Sequence, residues 1–307
     1  MTERKSETKG HKSLFRFFEK EIEQLHHEGR HRTAQTYTQT LQSVRRFRSN
    51  RDLSFPQLTT HFTRRYETWL RDRGLCRNTT SFYMRVLRVV YNKAVRAHLT
   101  PDQKPFRTVY TGIDKTSKRA VSLSTLRSIK ESEWPHQPHL AFARDMFLLS
   151  YYLRGIAPVD LAYLRPNNIQ RGFLVYVRSK TGQRMSIRFM PQMQQIIDRY
   201  AQPCTPYLLP LISRLDGTEQ RQYRQAAQNI NRGLKQIAEQ LHLKEPLTLY
   251  VARHTWASIA QSNHVPLSVI SVAMGHDSET TTQIYLASIQ GSAIDRVNSA
   301  LINQLKR

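Results

Sequence analysis

Cysteine is nearly absent from the 307 residues. Cys76 and Cys204 are the only two, too few for a disulfide framework and too far apart in sequence for a thiolate metal site. That scarcity fits a reducing cytoplasm. Long apolar runs are missing as well: the longest, Met146 to Leu153, falls far short of the roughly 20 residues that span a bilayer. Met1 to Lys12 is polar and charged, without the apolar stretch of a secretory leader. Neither membrane insertion nor secretion is expected. Histidines do occur, but His26, His27 and His31 have no partnered cysteine or acidic residue at metal-ligand spacing, and His-Glu-x-x-His does not occur, so no zinc site is expected. Negative charge is also in short supply. Against 47 Lys plus Arg stand 23 Asp plus Glu, a formal net charge of +24. Such a field draws polyanions to the surface and speeds their capture. Nucleic acid is therefore the leading partner, although a ribosomal protein or a binder of anionic membranes carries the same balance.

At roughly 100 to 200 residues per domain, the length suggests two domains. Leu14, Phe15, Phe18, Ile22 and Leu25 fall at helical spacing, which predicts an amphipathic helix over Ser13 to Leu25 with Ser13 as N-cap. Three further helices are marked by Tyr37, Leu41, Val44 and Phe47, by Phe62, Tyr66, Trp69 and Leu70, and by Tyr83, Val86, Leu87, Val90 and Ala94, the last beginning near Asn78. Arg45, Arg46, Arg64, Arg65, Arg85, Arg88 and Lys93 lie on their outer faces. Such faces can grip a phosphate backbone while the apolar stripes pack on one another, and they also suit a plain solvated surface. Pro101, Pro105 and the polar stretch Thr111 to Lys118 then break the pattern, reading as a linker, with a second domain starting near Ala120.

In that second half Ser124 is expected to cap a helix, and Leu140 to Leu153, apolar almost all round, to form a buried one. Phe173, Val175 and Val177 alternate with Leu174, Tyr176 and Arg178. After Lys180-Thr181-Gly182-Gln183, the residues Met185, Ile187 and Phe189 alternate again. Strand, polar turn and strand make a β-hairpin. Helical periodicity returns from Met193 onward, so the fold class expected is mainly α with a small β-hairpin sheet (α+β), without internal repeats.

Three separated segments of the second half carry reactive or phosphate-binding side chains: Lys180 in the hairpin turn, Tyr-Val-Ala-Arg-His-Thr-Trp over 250–256, and Met-Gly-His-Asp-Ser-Glu-Thr-Thr-Thr-Gln-Ile-Tyr over 274–285. Together they resemble the tyrosine recombinases of the phage integrase family. With Arg-Gly-Ile-Ala-Pro-Val-Asp-Leu over 154–161, the chain looks most like the integrases and invertases of Bacteroides-type bacteria and their mobile elements. The resemblance implies a polar leader over 1–12, a helical SAM-like core-DNA-binding domain over 13–100, a linker over 101–119 and a catalytic domain over 120–307 ending in a helix over 292–307. It further implies a site-specific recombinase acting on double-stranded DNA as a homotetramer in the synaptic complex, by integration, excision or inversion. No cofactor, metal or small-molecule substrate is implied. In the final helix Ile294, Val297, Leu301 and Leu305 form an apolar stripe, which by the same resemblance docks on a neighbouring protomer. No separate arm-binding domain is expected ahead of Ser13.

The chemistry explains these residue types. A phosphodiester is anionic, and its pentacovalent transition state concentrates more charge on the nonbridging oxygens, which a guanidinium fork stabilises without a metal. Arg253 suits that task. By resemblance Tyr285 is the nucleophile, leaving a 3′-phosphotyrosyl link that stores the bond energy. His276 would then donate to a phosphoryl oxygen or exchange the phenolic proton, and Lys180 would protonate the departing 5′-oxygen.

Two positions depart from the family pattern. Ala157 stands where Gly-x-Arg would place an arginine, so Arg154, one helical turn back, and Arg178, two residues before Lys180 along a strand, are the candidate replacements, with Arg178 preferred. Tyr250 stands three residues before Arg253, where histidine is usual; its hydroxyl can donate but cannot act as a base near neutral pH. His254 reads as structural, and Asp160 as either support for the site or an ordinary helix residue. A catalytically impaired site-specific DNA-binding protein is the alternative, since two expected catalytic positions are changed; a type IB topoisomerase would share the chemistry.

Overall fold

The computed structural model describes residues 13–114, 119–202, 205–276 and 282. The polar leader over 1–12, Tyr285 and the expected helix over 292–307 lie outside the described residues. The chain divides into two compact units, Met1–Thr116 and Ser117–Arg307.

The first unit holds four amphipathic helices: α1 (Leu14–His27), α2 (His31–Phe47), α3 (Thr60–Asp72) and α4 (Arg77–Arg96). Each begins where its apolar stripe begins. Ser13 caps α1 by accepting from the Arg16 amide at 3.2 Å, and Thr59 caps α3 by accepting from the Phe62 amide. Leu14, Phe18, Leu41, Val44, Tyr66, Leu87 and Tyr91 close the core between them. The buried polar end of the Tyr66 ring is answered locally, its hydroxyl donating to Ser43 at 2.7 Å.

Residues 101–114, read from sequence as linker, pack on this unit instead. Phe106 and Val109 enter its core, and the backbone that carries them is tied down by side chains. Tyr91 donates to the Pro101 carbonyl, Thr63 to the Pro105 carbonyl and Ser81 to the Gly112 carbonyl. Asn78 and Asp114 exchange a reciprocal pair of bonds at 2.8 and 3.1 Å. The prolines break helical periodicity as expected; they do not free the chain, because these polar anchors satisfy a backbone that helix bonds do not.

The second unit contains α5 (Leu123–Glu131), α6 (Pro138–Tyr152), α7 (Pro158–Ala162), a three-stranded antiparallel sheet in the order β1 (Ile169–Gln170), β2 (Phe173–Val177) and β3 (Arg184–Arg188), then α8 (Pro191–Tyr200), α9 (Glu219–Gln240), α10 (Leu249–Ser262) and α11 (Leu267–Met274). The cap of α5 is Ser122, not Ser124: its hydroxyl accepts from the Thr125 amide at 3.0 Å. Helix α6 is the buried axis, with Leu140, Ala143, Met146, Phe147 and Leu149 all without exposure. The hairpin pairs Leu174 with Ile187 and Tyr176 with Met185 on its buried face. Phe173 and Val177 lie on the open face. The two-residue strand β1 was too short to announce itself by alternation.

Candidate active site

Arg253 sits on α10 and is 3 % exposed. Three neighbours hold its guanidinium: Nη1 donates to the Gly155 carbonyl at 2.7 Å, Nη2 to the Met274 carbonyl at 2.6 Å, and Nη2 also lies 2.9 Å from His276 Nε2. These three groups are neutral, and they aim the fork. Arg178, 8 % exposed, donates through Nη1 to the Gly275 carbonyl. Two arginines from different elements thus converge on the turn that ends α11.

That convergence depends on two glycines. Gly275 terminates α11 at φ +66°, and a Cβ there would lie 2.8 Å from Met185 Sδ and 3.2 Å from Arg178 Cδ. Gly155 follows α6 at φ +70°, where a Cβ would meet the Arg253 Cα at 2.5 Å. Both positions combine a left-handed backbone with near-contact to the arginine, which only glycine tolerates cheaply.

His276 follows directly and completes the cluster. An arginine can only donate, so Nε2 accepts from Arg253, and a neutral ring then carries its proton on Nδ1, 2.7 Å from Oγ1 of the fully buried Thr282. Burial, followed by the Arg253, Arg178 and Lys180 charges, lowers the His276 pKa to about 4. The ring is therefore neutral at pH 7. The same cations reach Tyr176 on the buried hairpin face: burial, with Asp160 next, raises its phenol to about 12, against the opposing pull of Arg253, Arg178 and Arg154.

Lys180 is exposed on the hairpin turn. The turn itself is pinned from below, because Asp160, 5 % exposed on α7, accepts from both the Ser179 amide at 3.0 Å and the Ser179 hydroxyl at 2.5 Å. Sequence reading left Asp160 undecided. Here it holds the residue next to Lys180, and the only sequence sign of this was an acid in the first turn of a short helix.

Two premises of the sequence argument need correction. Arg154 is not on a helix with position 157: α6 ends at Tyr152, Arg154 has φ +57°, and Ala157 is the N-cap of α7. Nor do Arg178 and Lys180 share a strand face, since β2 ends at Val177 and the turn begins with the Arg178 carbonyl accepting from Gly182 at 2.8 Å. Arg178 points inward and Lys180 outward, yet both act on His276. Tyr250, in the first turn of α10, is 47 % exposed and packs edge-on against the buried His254 ring at 5.0 Å. Among the described residues, no group of three or more His, Cys, Asp or Glu side chains could hold a metal ion, and no helix is long and apolar enough to cross a membrane.

A helical unit followed by a mainly α unit that gathers two arginines, a histidine and a turn lysine defines the class, a DNA strand-breaking and rejoining enzyme. Two family models match in series: the phage integrase SAM-like domain over residues 13–109 and the phage integrase family over residues 140–291. The chain belongs to the phage integrase family and is a tyrosine-type site-specific recombinase. Among solved structures it is similar to a lambda integrase dimer bound to a COC′ core site (15 % identity, TM-score 0.67, covering 91 % of this chain and 78 % of that one). It is also similar to the Tn1549 transposon integrase in complex with a circular intermediate DNA (15 %, 0.65, 89 % and 95 %), and to a lambda integrase tetramer bound to a Holliday junction (16 %, 0.62, 89 % and 77 %). At these identities the likeness is one of fold. No curated protein matches the chain.

Proposed function

We propose that this recombinase cleaves and rejoins duplex DNA through a covalent bond between Tyr285 and the 3′-phosphate, and so integrates, excises or inverts a DNA segment. In cleavage the Tyr285 oxygen bonds to phosphorus, the bond from phosphorus to the 5′-oxygen breaks, and that oxygen leaves as a hydroxyl with a proton from Lys180. Attack by the 5′-hydroxyl of a partner duplex reverses the step and exchanges strands, so no outside energy source is needed. Arg253 and Arg178 hold the nonbridging oxygens, with Arg178 serving in place of the arginine missing at Ala157. His276, neutral at pH 7, takes the phenolic proton once phosphate draws the Arg253 fork from its Nε2. Arg154 is a more distant cation of the same field, and Tyr250 offers its hydroxyl to the DNA from the exposed first turn of α10. Acting on DNA of the cell or a mobile element, the enzyme works in the cytoplasm, as a homotetramer on paired sites; a lambda integrase tetramer on a Holliday junction supports that assembly.

The observation that carries the assignment of residues is the meeting of Arg253, Arg178 and His276 at the α11 terminus, with Asp160 holding the Lys180 turn. A nicked suicide substrate tests it. The wild-type chain is expected to become covalently linked to its own site, and Tyr285→Phe to bind the same DNA without linkage. DNA binding without an adduct from the wild type would favour a catalytically impaired DNA-binding protein.

A further inference from the structure

The last rung of the hairpin joins Arg178 to Gln183. Leu174 faces Ile187 and Tyr176 faces Met185 on the buried side of the sheet, and one step further along the Arg178 amide donates to the Gln183 carbonyl at 2.9 Å. Two-residue alternation puts both side chains on that same buried side. Both end against the turn that closes α11: a Cβ on Gly275 would lie 3.1 Å from Gln183 Oε1 and 3.2 Å from Arg178 Cδ.

Although the two side chains are cross-strand neighbours, they are not bonded to each other. Arg178 Nη1 donates to the Gly275 carbonyl, while Gln183 Oε1 is buried and has no hydrogen-bond partner. Thr181 Oγ1, on the same turn, is in the same condition. A buried acceptor left without a donor is costly and rare in a folded chain. The phosphates of DNA cannot supply the missing donor, since at neutral pH they only accept. The guanidinium beside it can, because arginine carries five N–H donors and the Gly275 carbonyl engages only one end of the fork.

We propose that Gln183 is a positioning residue for Arg178 in DNA cleavage. Phosphate draws both Nη groups of Arg178 toward its nonbridging oxygens and away from the Gly275 carbonyl, and the Nε–H then turns to Gln183 Oε1. The unpaired acceptor is satisfied only with phosphate in the site, so the rearrangement favours the engaged fork over the resting one. This rests on the reading of Arg178 as the phosphate-holding arginine that serves where Ala157 leaves a gap. Gln183 touches no reacting atom itself. It fixes where the Arg178 fork points, from the same turn that carries Lys180.

The test uses the full-length chain on a nicked suicide substrate, with urea unfolding of the free protein alongside. Gln183→Met keeps the length of the side chain and removes the acceptor. It is expected to raise the urea midpoint of the free protein, because the unpaired oxygen is gone, and to slow single-turnover cleavage at saturating DNA by about 5- to 50-fold. A gain in stability with a loss of rate is what a residue serving only the fold would not give. In an Arg178→Ala background the same substitution should change the rate by less than about twofold. A fall in both stability and rate would make Gln183 a folding residue, and an equal loss with and without Arg178 would give it a role of its own. Either result overturns the proposal, as does a Gln183→Met rate equal to that of the wild type. If the wild type forms no adduct, or Arg178→Ala cleaves as fast as the wild type, the site reading fails first and takes this inference with it, an outcome read before any Gln183 variant is compared.

Discussion

Arginine does opposite jobs at the surface of the first unit and in the candidate site of the second, although Arg144 and Arg199 elsewhere in that second unit still pair with Asp145. In the first, Arg45 and Lys93 meet Glu19 and Glu21 across α1, pairs that cancel charge at a half-exposed surface and contribute little each. In the second, Arg178 is buried against a backbone carbonyl, and among the described residues no carboxylate lies within ion-pair reach of it. Burying a cation without a counter-ion costs several kcal/mol in principle. A fold that accepts this cost at the same spot where it buries Arg253 and depresses His276 has prepared a place for an anion. Charge paired within the chain builds structure; in the function proposed above, the charge of Arg178, held by a carbonyl, is kept for the substrate.

Substitutions can break this contrast. Arg253→Ala is expected to slow single-turnover cleavage of a suicide substrate by on the order of 10³-fold, and Arg178→Ala by about 10²- to 10³-fold. Arg154→Ala should cost less than about tenfold, given its place outside the hydrogen-bonded cluster. Arg45→Gln, measured in the same assay at saturating DNA, should leave the rate alone and cost less than about 1 kcal/mol of stability. Full activity in both Arg154→Ala and Arg178→Ala would end the idea that either replaces the arginine missing at Ala157.

The role of Lys180 is sharpened by the leaving group. Lys180→Ala should lose about 10²- to 10⁴-fold on ordinary DNA. Most of that loss should vanish when the 5′-bridging oxygen is replaced by sulfur, which departs without a proton. Asp160→Asn, which loosens the Ser179 anchor, should show a smaller loss of roughly tenfold with the same sulfur rescue. A loss that sulfur does not repair would make Asp160 a general folding residue instead.

Stability separates the units in a further way. Gly155→Ala forces a methyl onto the Arg253 backbone at a left-handed position and should cost about 2 to 4 kcal/mol in urea unfolding. Cleavage should fall with it, as the Arg253 fork loses its Gly155 anchor. Wild-type stability with wild-type cleavage would show that the turn relaxes freely.

The smallest effect is electrostatic. Between pH 6.5 and about 4 the unfolded chain binds a proton at His276 that the folded chain refuses. Stability from this group is therefore present above pH 6.5 and lost as pH falls through that window. His276→Gln should flatten the dependence of Tm on pH there; an unchanged profile would mean that another group carries it.

Much of this was legible without coordinates. The amphipathic stripes announced α1 to α4, and Gly182 between alternating runs announced the hairpin. Tyr-Val-Ala-Arg and Met-Gly-His announced the arginine and histidine. Proline misled at 101–114, because a helix break says nothing about side chains such as Tyr91 and Thr63 that bind the broken backbone. Periodicity misled at Arg154 and Arg178, because both lie just past the end of their elements, where a fixed period no longer governs direction.

The linear order of residues determined which local elements form and which side chains with affinity for phosphate are available, since helix and strand patterns depend on neighbours a few positions away. Only the tertiary structure decided which of those side chains meet. Arg253 reaches Gly155 across 98 residues and Arg178 reaches Gly275 across 97, and contacts at such separations are set by how helices and hairpin pack, a property that no local window of sequence contains.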